Sequence, residues 1–156
     1  MTRTIELTQG KVALVDDADF EWLNAFKWYY DKGYAVRNIG TWPRRKKERM
    51  HRVILGTPGG METDHINGDK LDNRRGNLRV CSHAENLCNV GRYINNSSGF
   101  KGVAWHKQTA KWQARIMVNG HSKQLGCFDT AEEAAHAYDE ACINLHGDFA
   151  RKNIAM

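Results

Sequence analysis

The sequence predicts an α+β protein built from two small units, and three observations support this prediction. Residues 63–89 run in the order strand, polar loop, strand, helix, with an Asn67-Gly68 turn after the first strand. Residues 100–147 contain three strand-like runs followed by one helical run. Between them, residues 95–99 consist of Asn, Ser and Gly, a composition typical of a linker.

These observations also set the expected domain boundaries. We expect residues 1–92 to form the first unit, with a core motif at residues 50–89. Residues 93–99 would be the linker, and residues 100–156 the second unit. A chain of 156 residues with two prolines and 41% hydrophobic residues is long enough for two such units.

Charge and hydropathy limit the classes of partner. The chain has 23 Lys and Arg against 18 Asp and Glu, a formal charge of +5, which favours a polyanionic partner but does not separate nucleic acid from an acidic protein or a membrane. Its apolar runs are far shorter than the roughly 20 residues of a spanning helix, and the N-terminus has no signal-type apolar core. We therefore expect a soluble protein of the cytoplasm.

The four cysteines form no C-x-x-C pair and fall in predicted strands or helices. Reduced, half-buried thiols are therefore a better interpretation than zinc ligands or disulfides.

Three elements are predicted at the N-terminus. Residues 5–15 alternate about Gln9-Gly10, as in a hairpin, and Asp16 or Asp17 can then cap a helix that ends near Phe26. Residues 27–38 are aromatic and form a second hairpin candidate around Lys32-Gly33. The aromatic residues of this region could stack on bases, but at these spacings we favour a role in the core; they are Trp22, Trp28, Tyr29, Tyr30 and Tyr34.

A dense positive run precedes the central motif. Arg44, Arg45, Lys46 and Lys47 are followed by Glu48 and Arg49. Such a run is often only a solvated face, but its position favours contact with phosphates. Residues 50–55 predict a short helix ended by Gly56, on which His51 is more simply packed or phosphate-facing than catalytic.

The central motif combines Asp64, His65, Asn77 and Asn86. Carboxylate and amide oxygens are hard ligands suited to Mg²⁺ or Mn²⁺, and a neutral imidazole beside them can take a proton from water. The alternative is a polar hairpin turn with ordinary loop residues. Because neighbours on a strand point to opposite faces, Asp64 and His65 share a site only if the strand ends or twists there.

The types and spacings of these four residues resemble the HNH nuclease family, in its phage and intron-encoded homing branch. The resemblance covers residues 50–89 and implies that Asp64 and Asn86 bind one divalent metal, Mg²⁺ or Mn²⁺. It implies that His65 is the general base and that Asn77 supports the loop. Many family members have His where this chain has Asn86.

The C-terminal unit has a simple predicted plan. Residues 100–107, 111–118 and 121–128 read as three strands, the last two joined by an Asn119-Gly120 turn. Thr130 and Glu133 form a capping box. The helical face that follows it contains Ala134, Tyr138, Ala141 and Leu145.

Charge separates between the predicted sheet and helix. Residues 97–128 contain no Asp or Glu, whereas residues 129–148 contain six acids and no Lys or Arg. On the middle strand, Trp112, Ala114, Ile116 and Val118 are predicted to face the helix, and Lys111, Gln113, Arg115 and Met117 the outside. A basic exposed sheet of this kind fits a DNA groove, and the alternative is a solvated surface.

The segments GFKGV, KWQARI and LGCFDTAEEAAHAYDEA, with FARKN near the end, are similar to the APETALA/ethylene-response-factor DNA-binding domain over residues 98–153. The resemblance implies a sheet in the major groove. Lys101 matches one arginine of the family, and Arg115 and Gln124 match other base-reading positions. Ala104, Met117 and Ser122 replace arginines of plant members, so the plant sequence preference does not carry over.

Together these features predict a metal-dependent endonuclease, of homing type, that cuts double-stranded DNA. Arg74, Arg75 and Arg79 are further candidates for phosphate contact, and the sheet adds Lys101, Trp105, Lys107, Lys111, Arg115 and Gln124 as DNA-binding residues. One metal site per chain cuts one strand, so a monomer would nick and a homodimer could break both strands; the sequence leaves this open. The alternatives are a non-catalytic DNA-binding regulator, with the HNH part as scaffold, and a recombination or packaging factor.

Overall fold

The computed structural model describes residues 1–91, 96–118 and 120–154 of the chain. It divides the chain into two compact units, Met1–His83 and Ala84–Met156. This division precedes the linker predicted at residues 93–99, part of which lies outside the described residues. The linker therefore stays a prediction.

The first unit is built mainly from antiparallel hairpins. Its strands are β1 (Thr2–Glu6), β2 (Val12–Asp16), β3 (Tyr29–Asp31), β4 (Tyr34–Ile39), β5 (Lys46–Arg49), β6 (Glu62–His65) and β7 (Leu78–Cys81). Its helices are α1 (Asp17–Asn24) and α2 (Met50–Leu55). The strands pair as β1-β2, β3-β4-β5 and β6-β7, so both predicted N-terminal hairpins are confirmed. Strand β5, within the basic run, was not predicted.

The core of the first unit joins these hairpins to the two helices. Its buried apolar side chains are Ile5, Leu7, Ala13, Val15, Leu23, Trp28, Ala35, Met50, Ile54 and Leu78. Trp28 is 5% exposed and Tyr30 packs against the cluster, whereas Trp22 is 37% exposed. The predicted core role therefore holds for some of the N-terminal aromatic residues and not for others.

The caps of the two helices differ from each other. Gly56 ends α2 in the left-handed conformation, as predicted, where glycine has no steric penalty. Asp16 occupies the N-cap position of α1, but its carboxylate makes no capping hydrogen bond. Oδ2 of Asp16 accepts instead from the backbone N–H of Arg75 at 2.8 Å. This long-range hydrogen bond replaces the capping bond.

The second unit contains a three-stranded antiparallel sheet and a long helix. A short helix, α3 (His83–Asn89), begins at the division between the units. The sheet has the order β10-β9-β8 and is followed by one helix, and the elements are β8 (Val103–His106), β9 (Lys111–Val118), β10 (His121–Phe128) and α4 (Ala131–His146). The α+β class and the three strands with one helix are confirmed. Asn119 of the predicted turn lies outside the described residues.

Helix α4 starts with the predicted capping box, in which Thr130 and Glu133 exchange hydrogen bonds. Its buried positions are Ala131, Ala134, Ala135, Tyr138, Asp139 and Cys142. Leu145 was predicted on this face, but it is 43% exposed because the buried stripe passes through Cys142 instead. A Cβ atom on Gly102 would lie 2.3 Å from the ring of Tyr138, so only glycine fits where this turn meets the helix.

The alternation on β9 holds with one exception. Ala114 and Ile116 are buried, while Arg115 and Met117 are exposed, as predicted. Gln113 was predicted to face outward but is 6% exposed, because it lies opposite both Ala104 and Cys127 and donates to the Cys127 sulfur. A register shift between Gln124 and Gly126 places both Gln124 and Cys127 on this outer face.

All four cysteines are free, as expected. Within the described ranges, none of the helices has the length and hydropathy needed to cross a bilayer.

Candidate active site and nucleic-acid interface

Asp64 lies on β6 directly opposite Arg79 of β7. The guanidinium donates to Asp64 Oδ2 from Nε at 2.8 Å and from Nη2 at 2.6 Å. Asp64 is 5% exposed, and the side chain of Arg79 is 16% exposed. The carboxylate is therefore placed to bind a cation, and in this structure that cation is Arg79.

His65 is the last residue of β6, where the strand enters the Asn67-Gly68 turn. Its Nε2 atom lies 3.4 Å from Oδ1 of Asn73, which is 1% exposed. The amide nitrogen of Asn73 donates to the carbonyl of Leu71, so its oxygen faces the imidazole. An amide oxygen accepts only from a protonated ring nitrogen, so this contact favours the tautomer of His65 that carries its proton on Nε2.

The sequence did not indicate Asn73, because its partner lies eight residues away across a loop. The loop is fixed from outside: Leu14 of β2 donates to the carbonyl of Leu71 at 2.8 Å and accepts from the N–H of Asn73 at 2.8 Å. The N-terminal hairpin therefore holds the residue that orients His65.

Asn77 ties the two ends of the same loop together. Its side-chain oxygen accepts from the N–H of Asn67 at 3.0 Å, and its side-chain nitrogen donates to the carbonyl of Asp72 at 2.8 Å. Its own carbonyl accepts from the N–H of Ile66. These contacts are those of a loop-supporting residue, the role that the resemblance implied.

His65 also packs in a cluster of rings. The rings of His51 and His65 are 4.8 Å apart in an edge-on arrangement, and Tyr34 lies 5.2 Å from His51 and 6.2 Å from His65. Burial, together with the nearby His65, Arg49 and Arg52, lowers the pKa of His51 to about 3. Burial also lowers the pKa of His65, although Asn73 and Asp64 oppose the effect. Both imidazoles are therefore neutral at neutral pH.

The burial of His51 should make the free energy of unfolding of the first unit depend on pH. In the unfolded chain His51 takes up a proton near pH 6.5, while the folded chain resists it down to about pH 3. Between these values the unfolded state binds more protons, so the free energy of unfolding should fall with decreasing pH, by up to about 1.4 kcal/mol per pH unit for this residue. Urea unfolding at several pH values should show a shallower pH slope for His51→Phe than for the unmodified chain. His136→Gln, which removes an exposed histidine from α4, should keep the full slope.

Three arginines predicted to contact phosphates have carboxylate partners in the structure. Arg74 pairs with Asp72 at 2.6 Å, Arg75 with Asp19 at 2.7 Å, and Arg79 with Asp64. Asp19 and Asp72 are 3% and 2% exposed. The Arg75–Asp19 pair therefore anchors the loop to α1, and the Arg74–Asp72 pair stabilises the loop internally. The structure therefore gives Arg74, Arg75 and Arg79 structural roles that the sequence did not indicate.

The residue types proposed as metal ligands fit a hard divalent ion. Asp64 offers a carboxylate and Asn86, half-buried on α3, an amide oxygen, which are donors that Mg²⁺ and Mn²⁺ accept. Asp64 belongs to the first unit and Asn86 to the second. Across the part of the chain that the structure describes, no three His, Cys, Asp or Glu side chains group closely enough to hold a metal by themselves.

The basic run lies at the tip of the β4-β5 hairpin and along β5. Arg44, Arg45 and Lys46 are exposed. Lys47 is also exposed, but its ammonium lies 2.6 Å from Asp31. Asp31 in turn raises the pKa of Lys47 through this hydrogen bond.

In the second unit, two predicted base-reading residues form a cross-strand pair. Arg115 of β9 lies opposite Gln124 of β10, and both are exposed on the sheet face away from α4. Their neighbours Met117 and Ser122 also lie opposite each other on this face. Neither strand supplies an acidic residue to this surface.

Other predicted DNA contacts lie elsewhere. The amine of Lys101 donates to the Cys88 carbonyl at 2.6 Å, and burial lowers its pKa, so it is not on the outer face. Trp105 lies opposite Trp112, and alternation places it on the helix side with Val103. Lys107 is exposed in the turn after β8, and Lys111 pairs with Asp129 at 3.0 Å.

A hairpin whose first strand ends in Asp-His, followed in the chain by a short helix, defines the ββα class of nuclease motif. A family model described as HNH endonuclease matches residues 49–88, and one described as AP2 domain matches residues 98–148. The chain belongs to the HNH endonuclease family and carries an AP2 domain after the HNH motif, which indicates a DNA-binding protein.

The chain is also similar to curated proteins from phage, a giant virus and plants. Protein 3.8 of Escherichia phage T7 is 34% identical over 70% of this chain and 89% of its own length. An uncharacterized HNH endonuclease of Acanthamoeba polyphaga mimivirus is 29% identical over 93% of this chain and 76% of its own length. An APETALA2-like protein of Oryza sativa is 43% identical over 51 residues, which are 33% of this chain and 12% of that protein.

Proposed function

We propose that the protein is a divalent-metal-dependent DNA endonuclease of homing type, in which the HNH motif cleaves and the AP2 sheet provides site selectivity. The observation that carries the proposal is the state of His65, a buried imidazole whose lowered pKa keeps it neutral at neutral pH and whose Nε2 lies against the side-chain oxygen of Asn73. A general base requires this arrangement. The family match and the intact Asp64 support it.

In the proposed reaction, His65 removes a proton from water, and the resulting hydroxide attacks the phosphorus atom of a DNA strand. The bond between phosphorus and the 3′-oxygen breaks, and the departing 3′-oxygen takes a proton from water. Asp64 and Asn86 would hold one Mg²⁺ or Mn²⁺, with Asn77 and Asn73 keeping the loop and the imidazole in place. When bound, the ion neutralises charge on the phosphate and the departing 3′-oxygen. Arg79 would release Asp64 or share it with the ion. One such site per chain cuts one strand, so a monomer should nick.

A second function has a specific observation in its favour. Because Arg79 already occupies Asp64 Oδ2, the HNH motif could serve as a scaffold for a DNA-binding regulator without catalysis. Such a regulator would bind DNA through the AP2 sheet and leave it intact.

Cleavage of DNA separates the two functions. The full chain is incubated with a pool of phage and host DNA in Mg²⁺, in Mn²⁺ and in EDTA. We expect nicked products with either ion and intact DNA in EDTA. Products in EDTA would contradict the metal mechanism, and intact DNA in all three reactions, despite binding, would favour the regulator.

The proposed role of the sheet predicts the effect of Arg115→Ala. If Arg115 makes a bidentate contact with a base, the variant should lose about 1–3 kcal/mol of specific binding and relax sequence preference at one position. Binding curves on selected and scrambled duplexes at two salt concentrations measure both effects. Lys123→Ala is the matched control, since Lys123 pairs with Ile116 and so lies on the opposite sheet face. No change in affinity, sequence preference or salt dependence with Arg115→Ala would show that the sheet face away from α4 does not bind DNA.

A further inference from the structure

A cleft of about 740 Å³ opens in the first unit between the β3-β4-β5 sheet and α2. Its lining includes the cationic residues Lys32, Lys46, Lys47, Arg49 and Arg52, but only two acids, Asp31 and Glu48. Both acids are already paired, Asp31 with Lys47 and Glu48 with Arg37. The cleft therefore carries a net positive charge that nothing in its own lining neutralises.

Tyr34 connects this cleft to the catalytic imidazole. It lines the cleft, and its ring centre lies 6.2 Å from that of His65. Two cations lie over the same ring, the Arg49 guanidinium at 4.5 Å and the Lys70 ammonium at 4.7 Å from its centre. Among the described residues, neither Arg49 nor Lys70 forms an ion pair, so both charges remain available to a ligand.

Lys70 is held in this position by its aliphatic stem. The stem crosses Gly33, where an added Cβ atom would lie 3.2 Å from Lys70 Cδ. Gly33 has a φ of +95°, in the turn between β3 and β4. Gly33 therefore adopts the backbone conformation of the turn and also leaves space for the side chain of Lys70. This side chain extends from the loop after β6 to the ring of Tyr34.

We propose that Arg49, Lys70 and Tyr34 form a phosphate clamp, which holds a DNA strand in this cleft as it passes His65. A ring face attracts cations and keeps them in place, so two side chains that are otherwise mobile present a fixed pair of positive charges. Phosphates spaced along a strand can contact these two cations together with Lys32 and Lys46, which also line the cleft. The clamp rests on the proposed function, because it gives that site its substrate contact.

The test measures binding of the full chain to a fluorescently labelled DNA duplex of mixed sequence, in EDTA and over a range of salt. Because no cleavage occurs in EDTA, the result does not depend on whether the HNH motif is active. The variants are Arg49→Gln, Lys70→Gln and the double variant. The control is Lys11→Gln with Lys27→Gln, which removes the same charge from exposed positions outside the cleft.

Each clamp residue that binds a phosphate contributes about 0.9 to the slope of log affinity against log salt. We expect the double variant to lower this slope by about 1.8 and the control pair to change it much less. Tyr34→Leu, which removes the ring but no charge, should reproduce part of the loss, whereas Tyr34→Phe should bind as the unmodified chain does. Circular dichroism identifies any variant that fails to fold. If the double variant does not fold, the salt slopes of the single variants Arg49→Gln and Lys70→Gln provide the test.

Equal slopes for the double variant and the control pair would overturn the clamp. So would a loss confined to a duplex RNA of the same sequence. If the variants weakened binding of inorganic phosphate but not of the duplex, the site would be one for a free anion, and the proposal would be wrong.

Discussion

Replacement of His65 by alanine is expected to abolish DNA cleavage while leaving DNA affinity nearly unchanged. A general base contributes about 10²–10⁴-fold to rate but little to binding. His65 is 5% exposed, so it offers little surface for contact with a DNA strand, and its loss should therefore change the rate more than the affinity. Cleavage rate and duplex affinity, measured on the same preparation, test the two parts of this result.

A matched histidine is available as a control. His83 follows the same hairpin and pairs with Glu62 at 2.8 Å, but its side chain is 73% exposed. His83→Ala should cleave as fast as the unmodified chain. Undiminished cleavage by His65→Ala would remove His65 from the mechanism, even if the chain proved to be a nuclease.

Removal of the Asp64 carboxylate should have an equally large effect on activity. Asp64→Asn is expected to eliminate cleavage or to raise sharply the Mg²⁺ concentration that cleavage requires, because a neutral amide binds a hard divalent ion less tightly. The substitution also breaks the ion pair between Asp64 and Arg79, and breaking a buried ion pair costs about 3–5 kcal/mol. The double variant Asp64→Asn with Arg79→Met removes both charges and separates the loss of metal from the loss of stability.

Glu62→Gln is the control for this prediction, because Glu62 lies on the same strand but pairs with the exposed His83. It should keep the Mg²⁺ requirement of the unmodified chain. A Mg²⁺ dependence of cleavage that is the same for Asp64→Asn and Glu62→Gln would contradict the assignment of Asp64 as a ligand.

Local sequence signals predicted the elements that surround the site. The pair of strands that carries Asp64 and His65 was predicted from two strand-like runs separated by a polar loop, which begins with the Asn67-Gly68 turn. The capping box and the charge separation likewise predicted α4 and the basic sheet. Each of these signals depends on residues close together in the chain.

The contacts of the site could not be predicted in this way, because they join distant residues. Asn73 orients His65 only since β2 holds its loop, and Tyr34 reaches His65 from another hairpin. Arg75 forms an ion pair with Asp19, which lies more than fifty residues earlier in the chain. A basic residue in a sequence therefore does not show whether its charge faces a ligand or a carboxylate.

The same limit applies in the second unit. Lys101 matched a DNA-contacting position by resemblance, but its amine is directed to the Cys88 carbonyl within the protein. Arg115 and Gln124, by contrast, became a pair on one exposed face because the strand register aligned them. Alternation predicts a face, whereas register decides which residues meet on it.

The most direct measurement is the number of Mn²⁺ ions bound per chain, followed by electron paramagnetic resonance during titration of the protein without DNA. The unmodified chain should bind one Mn²⁺, which Mg²⁺ displaces, and Asp64→Asn with Arg79→Met should lose that ion while remaining folded. Equal Mn²⁺ binding by both proteins would contradict a metal site on Asp64, and with it the proposed hydrolysis of DNA at His65.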